Sequence, residues 1–540
     1  MINSARVKRK MYFDSITLMK VARSLSVMEG VEDVSALMAT PANLQLLTDA
    51  GLSPFEGVTS EPGEDDVLIV VRAHNEAQAQ AALDAAEAHL RGNVQEIAPL
   101  VSTTGLVRQP RSLEEAVRQH GQAGIAVISV PGMYAALEAQ QALKAGLHVF
   151  LFSDNVSLED EIALKRQGAQ QDLLVMGPDC GTARLNGVGL GFVNVVPDGT
   201  IGLVGASGTG MQQVMCLLAQ SGHGISQAIG CGGRDLSEKV GGITALHGLR
   251  LLQADVHTKV IVLISKPPAP AVAKKVLAAA ATAGKPVVVV FVGANPAAWQ
   301  GKYGARVHIV RTLADAARLA GSLCEEKGID VSSTDQNKLL SMNTPTPAEG
   351  QAKSVRRSQP PYLAALFSGG TLCDEALHLW GEALGPIYSN IPFNPAWNWH
   401  ETSGSQGHYA LDLGADEYTR GRPHPMIDPE ARLKYLRAAA SDPAIGVILL
   451  DIVLGYCAYP DPAAIYAPAI REGLQQAMQA GRHLNYIISL CGTEGDPQRL
   501  SRQQEQLRAS GAETYLSNAE AALRCQAILT GPASEARKAK

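Results

Sequence analysis

Apolar positions recur with helical spacing from Ser15 to Met28, alternate as an extended run from Val31 to Met38, and form a strand-like block from Asp66 to Val71. A short helix is expected from Pro41, and an alanine-rich helix from Glu76 to Leu90. Residues 1–100 therefore read as a small N-terminal α/β domain with no visible chemistry, suited to packing or assembly. The pattern then tightens into βα units: strand Ile125–Val130, helix Pro131–Ala145, strand His148–Phe152, helix Leu158–Gly168 and strand Leu173–Met176. Strands alternating with helices of this length predict a parallel sheet, with binding loops at the carboxyl ends of its strands.

A repeat follows. Strand Thr200–Val204 runs into Gly205-Ala206-Ser207-Gly208-Thr209-Gly210 and a helix Met211–Ser221; strand Leu363–Phe367 runs into Ser368-Gly369-Gly370-Thr371 and a helix through Glu375 to Ala383. Past the turns, Gly232-Gly233-Arg234-Asp235 and strand Val260–Ile264 in the first copy match Leu413-Gly414-Ala415-Asp416, helix Leu433–Ala440 and strand Val447–Leu450 in the second. The order predicts two flavodoxin-like modules in tandem, at 198–327 and 362–540. Residues 328–361, rich in Ser, Thr, Gln, Asn and Pro without apolar periodicity, read as an exposed linker.

The two turns carry the candidate chemistry. Glycines let an anion approach the main chain, and the first N–H groups of the following helix lack intrahelical partners. Each helix end contributes roughly 0.3 to 1 kcal/mol to an exposed anion, and up to about 2 when partly buried. Ser207, Gly208, Thr209 and Gly210 with Ser368, Gly369, Gly370 and Thr371 are the expected phosphate contacts; an ordinary N-cap is the alternative for either turn taken singly. No Gly-Lys-Ser/Thr follows the glycines, so neither is a Walker loop, and no G-x-G-x-x-G opens a first βα turn.

Composition narrows the class further. The chain has 540 residues, so three or four domains are expected; 46% hydrophobic and 5% aromatic residues with 52 glycines suit parallel sheets covered by helices. A net charge of −6 without a basic run argues against nucleic acid as a partner. The eight cysteines form no CxxC pair and no zinc-like spacing, so no metal is expected and the thiols read as reduced, in a cytoplasmic protein. The basic N-terminus is not followed by a signal-length apolar core, and the longest apolar runs are strand-sized, so no membrane segment is expected.

MGPDCGTA (176–183), GLVGASGTGMQQV (202–214) and GHGISQAIGCGGRDLSEKVGGI (222–243) resemble the succinyl-CoA synthetase α subunit in order and spacing. VISVPGMYAALEAQQALKAGL (127–147) is similar to the second half of that family's CoA-binding domain, and 362–530 to the C-terminal domain of the β subunit. The resemblance implies an α/β chain with a degenerate Rossmann-like CoA-binding-type domain (101–197) and two flavodoxin-like ligase-type domains behind the small N-terminal domain. This fusion is most similar to the FdrA family, whose members resemble the AllF subunit of oxamate carbamoyltransferase.

That family relation implies carbamoyl transfer between phosphate and oxamate, with carbamoyl phosphate, oxamate and oxalurate as ligands, AllG- and AllH-like subunits as partners, and no cofactor. The synthetase's phosphorylatable histidine is missing: its loop reads WQGKYGARVHIV (299–310), and His308 lies in a strand-like run. No nucleotide-grasping region fits before the second module. A guanidinium suits the carboxylate of an oxamate-like acceptor, which points to Arg234, Arg420 and Arg422, with His424 orienting the acceptor or assisting proton removal. Gly232, Gly233, Gly455 and Tyr459 are candidate lining residues, turn-making being their other reading. Cys491, with no adjacent histidine, is not expected to act as a nucleophile, and Asp179 and Cys180 are expected to shape a domain boundary. A degenerate acyl-CoA ligase and a non-catalytic anion-binding scaffold remain the alternatives.

Overall fold

The computed structural model describes most of residues 2–96, the longest omitted stretch there being 53–61, and then residues 110, 112–325, 361–400 without 382, 407–419 and 423–531. The proposed linker lies outside the described residues, apart from Pro361. Two compact units are present, one formed by residues 1–110 with 419–423 and the other by the remainder.

In the first unit, β1 (Ile2–Lys8), β2 (Val31–Met38) and β3 (Val67–Ala73) form an antiparallel sheet in the order β1-β3-β2. The central strand, VLIVVRA, is apolar on both faces because both are covered: α1 (Ser15–Ser26) and α2 (Glu76–Glu96) pack Leu18, Val21, Leu25, Ala82 and Leu83 on one side, and Leu47 and Leu52 join Leu68 and Val70 on the other. β1 has no counterpart in the sequence reading. Its INSARVK run mixes charges with apolar residues because Arg6 and Lys8 pair with Glu87 on α2, so the alternation that marks a half-buried strand is blurred.

The second unit opens with α3 (Leu113–Gln119) and a parallel sheet β4 (Ile125–Ile128), β5 (His148–Leu151) and β6 (Val175–Met176), joined by α4 (Gly132–Lys144) and α5 (Leu158–Gln170). A hairpin absent from the sequence reading follows: β7 (Thr182–Leu185) and β8 (Val188–Gly191) flank Asn186-Gly187, both at positive φ, 49° and 82°. Asn-Gly between short apolar runs is a hairpin signal, since a primed turn needs positive φ at both central positions.

That hairpin extends the sheet of the first module along the edge of β10. The module comprises β9 (Asp198–Gly205), α6 (Gly208–Gln220), β10 (Ile225–Gly230), α7 (Ile243–Ala254), β11 (Val260–Ser265), α8 (Pro270–Ala281), β12 (Val287–Phe291), β13 (Val307–Val310) and α9 (Leu313–Cys324). The second module comprises β14 (Tyr362–Phe367), α10 (Gly370–Trp380), β15 (Ile387–Tyr388), β16 (His408–Asp412), α11 (Glu430–Ser441), β17 (Ile445–Val453), α12 (Pro462–Gln479), β18 (Asn485–Cys491), α13 (Leu500–Ala509), β19 (Glu513–Tyr515) and α14 (Asn518–Thr530).

Sheet order is β10-β9-β11-β12-β13 in one and β16-β14-β17-β18-β19 in the other, the flavodoxin order 2-1-3-4-5 twice, with parallel pairing throughout. α7 and α8 cover the outer face of one sheet, and α11, α12 and α13 that of the other. Between the sheets, α6, α9, α10 and α14 share one core, in which Leu203, Met211 and Leu218 join Phe367, Leu372 and Trp380. Trp380 is fully buried and donates its indole N–H to Ala522 O at 2.7 Å, which satisfies its one polar atom. The first strand of each sheet is central, so each module launches its first helix into this shared layer.

Candidate functional site

α6 and α10 begin at the carboxyl ends of β9 and β14, where an open α/β sheet places its ligand loops. Their first turns touch. Ser207 Oγ, the N-cap of α6, accepts from Gly210 N–H at 3.0 Å and donates to Thr371 Oγ1 at 2.7 Å. A methyl group at Gly369 would fall 2.6 Å from Thr209 Oγ1, so only glycine permits this approach. α10 has no side-chain cap, Gly369 being its N-cap, which leaves its first N–H groups open to an anion.

The two turns are not equivalent. Ser368 donates its backbone N–H and its hydroxyl inward, to Asp451 at 2.8 Å and 3.0 Å. Asp451 is wholly buried and ion-paired to Arg432 at 2.9 Å, while Arg432 also donates to Leu366 O and Asp451 O. Burial raises the Asp451 carboxyl, opposed by Arg432 and the Ser368 donors. The Ser368 hydroxyl thus braces the turn from below, while Thr371 is the hydroxyl of this turn that meets the opposite helix.

The structure adds Lys266 and Asp412, which the sequence reading passed over. Lys266 follows β11, and its Nζ stands 2.9 Å from Asp374 Oδ2. A methyl on Gly370 would lie 3.0 Å from that Nζ and 2.6 Å from Asp412 Oδ2. Burial alone would lower the Lys266 ammonium, but Asp374 and Asp412 outweigh it and hold the charge. Asp412 is pushed up to about 6, chiefly by burial.

His424 reaches the same turn. Its Nδ1 accepts from Met426 N–H at 3.2 Å, and a methyl on Gly414 would fall 2.6 Å from both its Nε2 and Ser368 O. Burial, then Arg432, lowers its pKa to about 4, so the ring is neutral. With Nδ1 accepting, Nε2 carries the proton: the imidazole is a hydrogen-bond donor toward the turn rather than a base. Phe192 packs on it at 5.8 Å, and Phe152 on Phe192 at 5.6 Å.

Arg234 is engaged by α5 and the loop before it, donating to Val156 O at 2.8 Å and pairing with Glu161 at 2.9 Å, beside the buried Glu161–Lys165–Asp235 cluster. Gly232, at φ 82°, and Gly233 approach the 177–179 loop: a methyl at Gly232 would strike Pro178 O at 2.3 Å. Asp179 is reached by solvent, yet desolvation by the protein around it raises its carboxyl to about 6, with Asp154 and Asp416 adding to the shift and Arg234 opposing it. Cys180 is buried, its thiol pushed up to about 12. Arg420 and Arg422 lie outside the described residues.

Gly455 sits on a seam between the second module and the 193–195 segment ahead of β9, and Tyr459 is tied to it through Gln498. Gly455, at φ 114°, is held through both backbone groups by Gln498, and a methyl there would meet Val193 O at 2.5 Å; Tyr459 N–H donates to Met426 O. Asp496 ties the seam by accepting from Asn194 Nδ2 and Val195 N–H. Cys491 is buried against Cys216, Sγ to Sγ 3.7 Å. His308 lies on β13, its pKa lowered by burial.

Paired flavodoxin-order modules with facing helix ends define a CoA-ligase-type protein. Comparison with known families agrees: the family described as CoA-ligase matches residues 366–528, CoA binding domain matches 197–293, and AllF, heavy metal-associated domain matches 1–99. The chain is 39% identical over 508 residues, 94% of each chain, to "Uncharacterized protein YahF" of Escherichia coli K12. It is 30% identical over 159 residues, 29% of this chain and 54% of the relative, to "Succinate--CoA ligase [ADP-forming] subunit alpha 2" of Archaeoglobus fulgidus. PH0766 from Pyrococcus horikoshii OT3 aligns over 78% of this chain and 86% of its own, at 14% identity and a TM-score of 0.32. The chain belongs to the FdrA family of succinyl-CoA synthetase α-like proteins.

The N-terminal match carries a metal in its description, and the residues do not fit one. Residues 1–99 contain no cysteine and two histidines, His74 and His89. Among the described residues no three His, Cys, Asp or Glu side chains group to hold an ion. Among them, too, no helix is long and apolar enough to cross a membrane.

Proposed function

We propose that this chain is the phosphate-handling subunit of a carbamoyltransferase of the oxamate type, moving a carbamoyl group between phosphate and the oxamate nitrogen, with oxalurate as the other carrier. The observation that carries it is the contact of the two helix starts, Ser207 Oγ to Thr371 Oγ1 at 2.7 Å, which aims both at one small volume. The AllF-type N-terminal match supports the same reading.

In the forward direction the oxamate nitrogen attacks the carbonyl carbon of carbamoyl phosphate, a C–N bond forms, and the C–O bond breaks with its electron pair leaving on phosphate. The nitrogen loses one proton, which the departing phosphate takes up to leave as hydrogen phosphate. Charge grows on the phosphate oxygens, where the open N–H groups of α10, the Thr371 hydroxyl, the His424 Nε2–H and the Lys266 ammonium are placed to stabilise it. No ATP is consumed. The acceptor's carboxylate would lie toward Arg234, with other subunits of AllG and AllH type completing the site.

The test is phosphate release from carbamoyl phosphate and oxamate, by this chain alone and with the proteins encoded beside its gene. Turnover only with the partners is expected; none in either case ends the reading. A CoA-ligase activity is the second reading, favoured by the CoA-ligase and CoA binding matches. Labelled phosphate from ATP on a histidine would establish it instead.

A further inference from the structure

Lys266 and Asp412 reach Gly370 from different modules, one from the end of β11 and the other from the end of β16. Both stand within 3.0 Å of the position its missing side chain would take. Asp412 Oδ1 accepts from Gly414 N–H at 3.0 Å, and among the described residues no hydrogen bond ends on Oδ2. A second observation marks the opposite helix start. Thr182, 1% exposed, has a hydroxyl without a hydrogen-bond partner, 3.2 Å from where a methyl on Gly208 would lie. A buried, unpartnered hydroxyl facing the first residue of α6 is the arrangement a polar ligand would satisfy.

We propose that Lys266 and Asp412 make this site proton-coupled: Lys266 supplies a full positive charge to the phosphate group, and Asp412 binds it as a carboxylic acid, donating its proton to a phosphate oxygen. Each anion is then taken up together with one proton. The inference rests on the reading that the paired turns hold a phosphate group.

Charge balance drives the coupling. One ammonium between two carboxylates, Asp374 and Asp412, presents a net negative charge to an arriving dianion. Protonating Asp412 removes the repulsion and converts an acceptor into a donor. Asp374 already holds the Lys266 ion pair, whereas Asp412 Oδ2 is left to carry the proton. The groups facing Asp412 are Lys266, Asp374 and Cys373 on α10, Asp451 on β17, and His424 beside Gly414. The Cys373 thiol is raised well above its ordinary range by burial, and His424 is neutral, so neither titrates near Asp412. The free site titrates at about 6, and a bound anion moves that value upward, so proton uptake extends into the neutral range.

The experiment is titration calorimetry on the full chain with sulfate, whose charge is constant over the range, and with inorganic phosphate. Buffers of different ionisation heat, from about pH 5.5 to 8.5, count the protons taken up. Sulfate affinity is expected to rise as pH falls, with up to one proton bound per anion. Asp412→Asn should abolish the uptake and flatten the profile. Lys266→Met should weaken both anions by about tenfold or more, and Lys266→Arg should restore part of the loss. Circular dichroism and thermal melting establish that each variant is folded. Undiminished uptake in folded Asp412→Asn, undiminished affinity in folded Lys266→Met, or no binding of either anion by the native chain overturns the proposal. Proton-coupled sulfate binding without any carbamoyl transfer would overturn only the proposed reaction.

Discussion

Glu375 Oε2 accepts a 2.9 Å hydrogen bond from Asn518 Nδ2, while its Oε1 accepts from Leu313 N–H at 2.8 Å, so one carboxyl in α10 ties the starts of α9 and α14. It is wholly buried, and burial pushes it up to about 7 against the pull of those two donors. A carboxyl raised in the folded state contributes stability that is complete in acid and lost as pH rises through 7, here roughly 3 kcal/mol in all. Glu375→Gln should therefore lose less stability than the native chain as pH rises from about 4.5 to 7, with the two running parallel above that. Parallel slopes below about pH 7 in a scanning calorimeter would refute this.

Removing one partner of the Arg432–Asp451 pair should be far more damaging than removing both. Arg432→Met leaves a buried carboxylate with only the Ser368 donors and the Gly369 N–H and is expected to cost about 3–5 kcal/mol in urea denaturation. Adding Asp451→Asn should recover a substantial part. A double variant no better than the single would mean that the guanidinium's bonds to Leu366 O and Asp451 O dominate.

The Ser207–Thr371 bond is testable by a double-mutant cycle. Ser207→Ala also removes the N-cap of α6, so it should cost about 1 kcal/mol more than the shared bond. The coupling with Thr371→Val is expected at about 0.5–1.5 kcal/mol. Zero coupling in folded variants would show that the two turns are energetically independent.

Gly208→Val and Gly370→Val should each weaken phosphate binding, from a few-fold to about thirtyfold. A Cβ at Gly370 meets Asp412 at 2.6 Å, whereas one at Gly208 meets Thr182 at 3.2 Å, so the loss should be larger at Gly370. In the double variant the losses should be less than additive, because one ligand is shared. Unchanged affinity in all three, with melting as the folding control, would reduce the turns to helix caps.

The repeat was legible because each turn joins a fully apolar strand to an amphipathic helix, a local pattern. From it the flavodoxin order followed, and with it the placement of Ser207 and Thr371 at strand ends. Lys266 was not legible: SKPPAP looks like a strand ending in a proline-rich loop, and only the pairing of β11 beside β9, and of one module against the other, brings the ammonium to Gly370. A basic residue immediately after a buried parallel strand is the signal that could have found it. Asp412 was hidden likewise, as the last residue of HYALD, whose partners come from three other elements. His424 was visible, but its tautomer depends on the Met426 N–H.

The helix layer shared by the two sheets has a consequence for assembly. α6 and α10 pack into one core that draws side chains from both sheets, so the two halves of the paired turns are held by both modules together. Joined in one polypeptide, the halves are always present one to one and at an effective concentration set by the tether rather than by expression level. Dilution cannot dissociate the site. Under the proposed function, a further subunit would meet both helix starts already paired and would need to contribute only to the acceptor's side.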